Sequence, residues 1–125
     1  MGIILEDIED EEFVFVVNFW NWRAIVEAVR RLDVLPDDRV DALHGEFGQT
    51  EVSRNEAHQI GTAIRERLVP SLGNDGRVLI DGKRTTEPED PALDWSDFDK
   101  NYSTNRRVLD EFATYCLTCA GFVIL

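Results

Sequence analysis

Two cysteines and two histidines are the side chains best suited to metal or thiol chemistry. Cys116 and Cys119 have the two-residue spacing of redox motifs and of half a zinc site, which His44 and His58 could complete. A redox pair needs the positive N-terminal end of a helix, whereas the apolar spacing places these thiols near a helix C-terminus. We therefore expect both thiols to pack in the core. A small metal-binding or hydrolytic domain using Cys116, Cys119, His44 and His58 is the alternative.

Other catalytic signatures are missing from the sequence. The glycine-rich stretch at residues 73–76 lacks the Lys-Ser/Thr and the helix that complete a phosphate-binding loop, and there is no GxSxG motif. We predict a protein that is not an enzyme and that needs no cofactor.

The acidic residues are concentrated in two segments. The chain has 25 acids and 13 bases, a net charge of −12. Residues 6–12 hold six acids and no base, and residues 86–100 hold six acids and one base, so the rest is nearly neutral. Such charge disfavours direct binding to nucleic acid or to an anionic membrane and favours a basic protein partner. The alternative is that both segments are solvated loops that keep the protein soluble.

The second segment alternates acids with aromatic residues, as binding surfaces do when they set aromatic anchors in a polar rim. An alternative is that these rings pin a long loop, residues 87–102, onto the body of the domain. Trp20 offers a further exposed indole and could form a cation–π pair with Arg23. The predicted partner-binding residues are Glu89, Asp90, Asp94, Trp95, Asp97, Phe98, Asp99 and Trp20.

Apolar spacing predicts about four helices and three to five short strands. Residues 13–17 have no polar position, which predicts a strand buried on both faces or central in its sheet, paired with residues 3–5 across an acidic turn or frayed lead-in. The elements do not alternate regularly, so we predict an α+β fold with helices packed on a small, mainly antiparallel sheet. The predicted helices are 18–32, 36–43, 53–69 and one from 103 or 104 to 120, with a hairpin at 77–86 and a strand or docked tail at 122–125.

Length and composition predict one soluble domain, residues 1–125. The hydrophobic fraction of 43% and the charged fraction of 30% are typical of a globular chain. No apolar run approaches the roughly 18 residues of a membrane span, and the N-terminus has no secretory pattern. We expect a cytoplasmic protein.

Four short stretches carry a resemblance that spans nearly the whole chain. They are Asn18-Phe19-Trp20-Asn21-Trp22-Arg23, Leu79-Ile80-Asp81-Gly82 with Thr85 and Thr86, Lys100-Asn101-Tyr102-Ser103, and Cys116-Leu117-Thr118-Cys119-Ala120-Gly121-Phe122. With these stretches the sequence resembles a small acidic bacterial family of uncharacterised function, which implies no activity and no functional residue. In size and acidity the sequence is also similar to immunity proteins of bacterial toxin systems, which implies an immunity-type or regulatory inhibitor.

Overall fold

The structure, a computed structural model, describes residues 2–45, 50–86 and 103–125. These ranges contain four α-helices and seven strands. The helices are α1 (Phe19–Leu32), α2 (Asp37–Ala42), α3 (Arg54–Ala63) and α4 (Arg106–Thr118). The strands are β1 (Gly2–Asp7), β2 (Val14–Asn18), β3 (Thr50–Ser53), β4 (Arg77–Leu79), β5 (Arg84–Thr85), β6 (Ser103–Asn105) and β7 (Gly121–Ile124).

The strands form two antiparallel sheets. The larger sheet has the order β2-β1-β7-β3, and the smaller has the order β5-β4-β6. The predicted α+β fold is confirmed, with two sheets in place of one. None of the described helices is both long and apolar enough to cross a membrane.

The core lies between the helices and one face of the larger sheet. Trp22 of α1, Phe112 of α4 and Phe122 of β7 are almost completely buried and meet edge to face, with ring centroids 5.6 and 6.3 Å apart. The Trp22 indole nitrogen donates a 2.8 Å hydrogen bond to the Leu43 carbonyl, so its polar atom is satisfied inside the core. This packing fixes the inner face of the sheet and leaves the other face without a helical layer among the described residues.

Side chains cap three of the described helices. Asn18 accepts a hydrogen bond from the Asn21 amide at the start of α1, and Ser53 and Glu56 form a capping box at the start of α3. At α4 the predicted start at residue 103 or 104 is wrong. Those residues belong to β6, and the Asn105 side chain caps the helix by accepting from Val108.

The predicted helix 53–69 is not α-helical throughout. After α3 the chain continues as a π-helical turn (Ile64–Leu68) and a 3₁₀ turn (Val69–Ser71). Pro70 contributes to this change, since a proline has no N–H for a regular helical bond. Both ends of the π-helical turn, Ile64 and Leu68, are buried.

The prediction for residues 13–17 is wrong in its placement. These residues do pair with β1, as expected, but β2 lies at the edge of the sheet that the described strands form, and Val14 and Val16 are exposed. A continuous apolar run shows no alternation between the two faces of a strand, so the sequence does not indicate that the face with Val14 and Val16 is exposed.

Candidate docking surface

The cysteines and histidines do not assemble into a site. Cys116 and Cys119 are free thiols, both almost completely buried, as the packing prediction requires. Burial raises the pKa of both thiols, which disfavours the thiolate that a metal or a redox reaction needs. His58 is exposed, and His44 Nε2 lies 3.9 Å from Glu27 Oε2. Within the three described ranges, no three His, Cys, Asp or Glu residues could jointly hold a metal ion.

Trp20 is the predicted partner-binding residue that the structure describes. Its side chain is 39% exposed and contacts the Phe19 ring edge-on, with centroids 6.0 Å apart. The Arg23 guanidinium lies 5.5 Å over the Phe19 ring, since residues four apart share a helix face.

The other predicted partner-binding residues lie outside the described residues. They are Glu89, Asp90, Asp94, Trp95, Asp97, Phe98 and Asp99.

The acidic segment at residues 6–12 is an ordered hairpin connection rather than a frayed lead-in. Asp7, at the end of β1, is buried, and its carboxylate accepts hydrogen bonds from the amides of Glu9 (2.7 Å), Asp10 (3.1 Å) and Ala120 (2.9 Å). The Asp7 amide donates to the Phe13 carbonyl and closes the loop. We call residues 8–12 the acidic hairpin loop.

The acidic hairpin loop presents its charge to solvent. All of its residues are exposed, and four of them are acids. One cation is near, since an Arg54 guanidinium nitrogen lies 3.8 Å from a Glu9 carboxylate oxygen, with both side chains well exposed. An exposed pair of this kind contributes little, so the loop retains most of its negative charge.

Next to the acidic hairpin loop lies the uncovered side of the larger sheet. Side chains of directly paired residues point to the same face, and the pairs Ile4–Val16 and Glu6–Val123 therefore place these four residues on one side. We call this side the outer sheet face. Its apolar members are Ile4, Ile8, Val14, Val16, Val123 and Leu125.

Most of the exposed large apolar side chains among the described residues belong to the outer sheet face. There are six such side chains, and five of them lie on this face, with exposed fractions of 41 to 62%. The sixth is Trp20. Glu6 and Glu51 lie on the same side and add acids among the apolar residues. A contiguous apolar patch with a charged border is the composition of a protein interface.

Sequence reasoning found the acids of this surface but not its apolar part. The missing facts were the sheet order and the side on which the helices pack, since the described helices cover only one face of the β2-β1-β7-β3 sheet. The sequence carries no alternation that marks this face, because exposed Ile4 is followed by Leu5, which is equally apolar and is buried.

Comparisons of the chain with protein-family models, with curated proteins and with solved structures gave no match.

Proposed function

We propose that this chain is a non-enzymatic binding protein that docks a basic protein partner through the outer sheet face and the acidic hairpin loop. The observation that carries the proposal is the continuity of the two features. Ile8 belongs to both, since it begins the loop and its side chain lies over Gly121 on the outer face. A partner can therefore bury apolar side chains and pair its cations with carboxylates in one contact.

The order of the loop supports the same function. Three backbone amides hold the Asp7 carboxylate, so the neighbouring acids are presented from a fixed backbone. A preorganised charged loop loses less conformational entropy on binding than a flexible one. Fixed acids beside an apolar patch suit an immunity-type or regulatory inhibitor, which must recognise one basic surface among many.

The test compares two variants with equal charge change. In the loop variant Glu9, Glu11 and Glu12 become glutamine. The purified, tagged protein is incubated with a lysate of its native host at low salt, and captured basic proteins are quantified. We expect the loop variant to retain about tenfold less of the partner, equivalent to about 1.4 kcal/mol.

The matched control carries Asp33→Asn, Asp38→Asn and Glu66→Gln, three exposed acids on the helical side of the molecule. It removes the same charge from another surface and should capture the partner as the unmodified chain does. If both variants capture equally less partner, the effect comes from net charge and not from this surface. Undiminished capture by the loop variant would contradict the proposal.

The loop at residues 87–102 remains a sequence-based prediction for the same contact. A third variant, with Asp94, Asp97 and Asp99 changed to asparagine, tests whether it contributes. Reduced capture by this variant adds that segment to the docking surface.

A further inference from the structure

Among the described residues, one edge of β2 pairs with no other strand. In an antiparallel pair, residues alternate between bonding the neighbour and pointing away from it. The Asp7 amide donates to the Phe13 carbonyl, so residues 13, 15 and 17 face β1. The N–H and C=O groups of Val14 and Val16 consequently point to the open edge, where no described strand pairs with them.

The opposite edge of the same sheet, formed by β3, is covered by other parts of the chain, in contrast to the β2 edge. The Glu51 carbonyl of β3 accepts a 2.8 Å hydrogen bond from Arg39, and the Thr50 hydroxyl donates to the Ala42 carbonyl of α2. Proteins usually protect an edge strand by such a cover, by a charge or by a proline. β2 reads Val-Phe-Val-Val-Asn and has neither a charge nor a proline.

A groove of about 840 Å³ runs beside this open edge. Its lining includes Phe15, Val16, Val17 and Asn18 at the β2 side and Asn105, Val108 and Glu111 from β6 and α4. Two bases, Arg77 and Arg107, and two acids, Asp75 and Glu111, also line it, so the groove itself is balanced in charge and the negative charge lies at the loop end of β2. The volume lies within the range of about 300–1,000 Å³ that is usual for binding clefts. Added strands lie about 4.8 Å from the edge they extend, which brings such a strand into this groove.

The charge at the start of β2 determines which kind of strand fits. Val14 comes two residues after the acidic hairpin loop, so a strand paired along β2 has one end beside Glu11 and Glu12. A second copy would bring another such loop and another net charge of −12 to the same region. Lysine or arginine side chains would instead be attracted there.

We propose that β2 accepts an extended segment of the basic partner as a fifth strand of the larger sheet, with its apolar side chains beside Val14 and Val16. The added strand would gain backbone hydrogen bonds from the edge and specificity from alternate side chains. This inference rests on the proposed function and specifies how the partner is held.

The probe is a synthetic ten-residue peptide of alternating lysine and valine, capped at both ends and added to the full chain at low salt. Amide hydrogen exchange is followed by NMR. We expect exchange at the Val14 and Val16 amides to slow by at least about tenfold, while the Phe15 and Val17 amides, already bonded to β1, change little. A peptide with glutamate in place of lysine should give no protection.

Val16→Pro removes the outward N–H at an edge position, where proline is tolerated, and should weaken peptide binding by about tenfold or more. Val16→Thr is the matched control, because it keeps the N–H and should bind within about threefold of the unmodified chain. If Val16→Pro does not fold, the hydrogen-exchange experiment on the unmodified chain still tests whether the peptide adds to β2.

Several outcomes would overturn the inference. Peptide binding without protection at Val14 and Val16 would exclude strand addition and leave the proposed function standing. Failure of the peptide to bind would also exclude it, while the capture experiment decides the proposed function separately. Dimers that form without peptide and protect the same two amides would identify the occupant as a second copy.

Discussion

Asp7 determines the shape of the acidic hairpin loop. Its carboxylate is buried and accepts three backbone hydrogen bonds, two from the loop and one from Ala120, just before β7. The residue therefore joins the first strand, the loop and the C-terminal segment. Charge-assisted bonds of this kind are stronger than those between neutral groups.

We predict that Asp7→Asn lowers the free energy of unfolding by about 2 kcal/mol, because an amide nitrogen would face a backbone N–H in place of an acceptor oxygen. Urea denaturation measures the loss. Asp10→Asn removes the same charge at an exposed position and should cost less than about 1 kcal/mol. Equal midpoints for the two variants would show that Asp7 is not special.

Glu56 makes the stability of the protein depend on pH in the acid range. Arg39 donates hydrogen bonds of 2.8 and 3.0 Å to its two carboxylate oxygens and thereby lowers the pKa of Glu56. A carboxylate with a lowered folded pKa stabilises the protein fully above its unfolded value, near 4.5, and this contribution is lost as pH falls through the folded pKa.

We predict that Glu56→Gln lowers the free energy of unfolding by about 1 to 2 kcal/mol at pH 7, and that this difference shrinks as the pH falls below 4.5. Thermal denaturation between pH 7 and pH 3 checks both statements. The control is Glu66→Gln, an exposed acid in the π-helical turn. A difference that stays constant with pH would exclude the ionised pair as its source.

The sequence allowed these residue roles to be predicted only where the partners are local. The Ser53–Glu56 capping box is readable from spacing alone, because both residues lie within one helical turn. Asp7 is one of 25 acids, and its partner Ala120 is more than a hundred residues away. Nothing in its neighbours marks it as buried.

At the scale of elements, the close approach of α3 and α4 depends on one glycine. A Cβ atom added to Gly61 would lie 2.9 Å from Leu117 Cγ and 3.0 Å from both the Ala113 carbonyl oxygen and Cys116 Cβ. The Ala113 carbonyl oxygen and Cys116 Cβ belong to the backbone of α4 or are attached directly to it, so they cannot shift without moving the helix. Gly61 lies on the buried side of α3, together with Ala57 and Ile60.

We predict that Gly61→Ala lowers the free energy of unfolding by about 1 to 3 kcal/mol. Alanine normally stabilises a helix by about 1 kcal/mol relative to glycine, so the sign of the effect is informative. Thr62→Ala, on the exposed side of α3, is the control and should be neutral within about 0.5 kcal/mol. Stabilisation by Gly61→Ala in urea denaturation would disprove the close contact.

Element types were easier to predict than their places in the sheet. The α1 and α4 helices follow from apolar spacing, and the hairpin of β4 and β5 follows from its turn residues. The edge position of β2 does not, since it is decided by β7, which pairs with β1 on the side away from β2. The candidate docking surface depends on that pairing and could not be read from spacing.

For the whole molecule, the acids and the apolar surface are arranged together. The helical layers bury most large apolar side chains, while no described helix covers the outer sheet face beside the acidic hairpin loop. The net charge of −12 limits association between copies through this side. Low salt therefore favours a basic partner and disfavours self-association.

The pairing of β1 with β7 also has a kinetic consequence. Leu5 pairs with Ile124, so this half of the sheet closes only after a loop of more than a hundred residues has been brought together. The β1–β2 hairpin is local and can form within about 1–10 μs, whereas distant pairings of this kind slow folding. During that interval the hairpin has two open edges, and we expect the acids at its turn to disfavour aggregation of the incomplete sheet through charge repulsion.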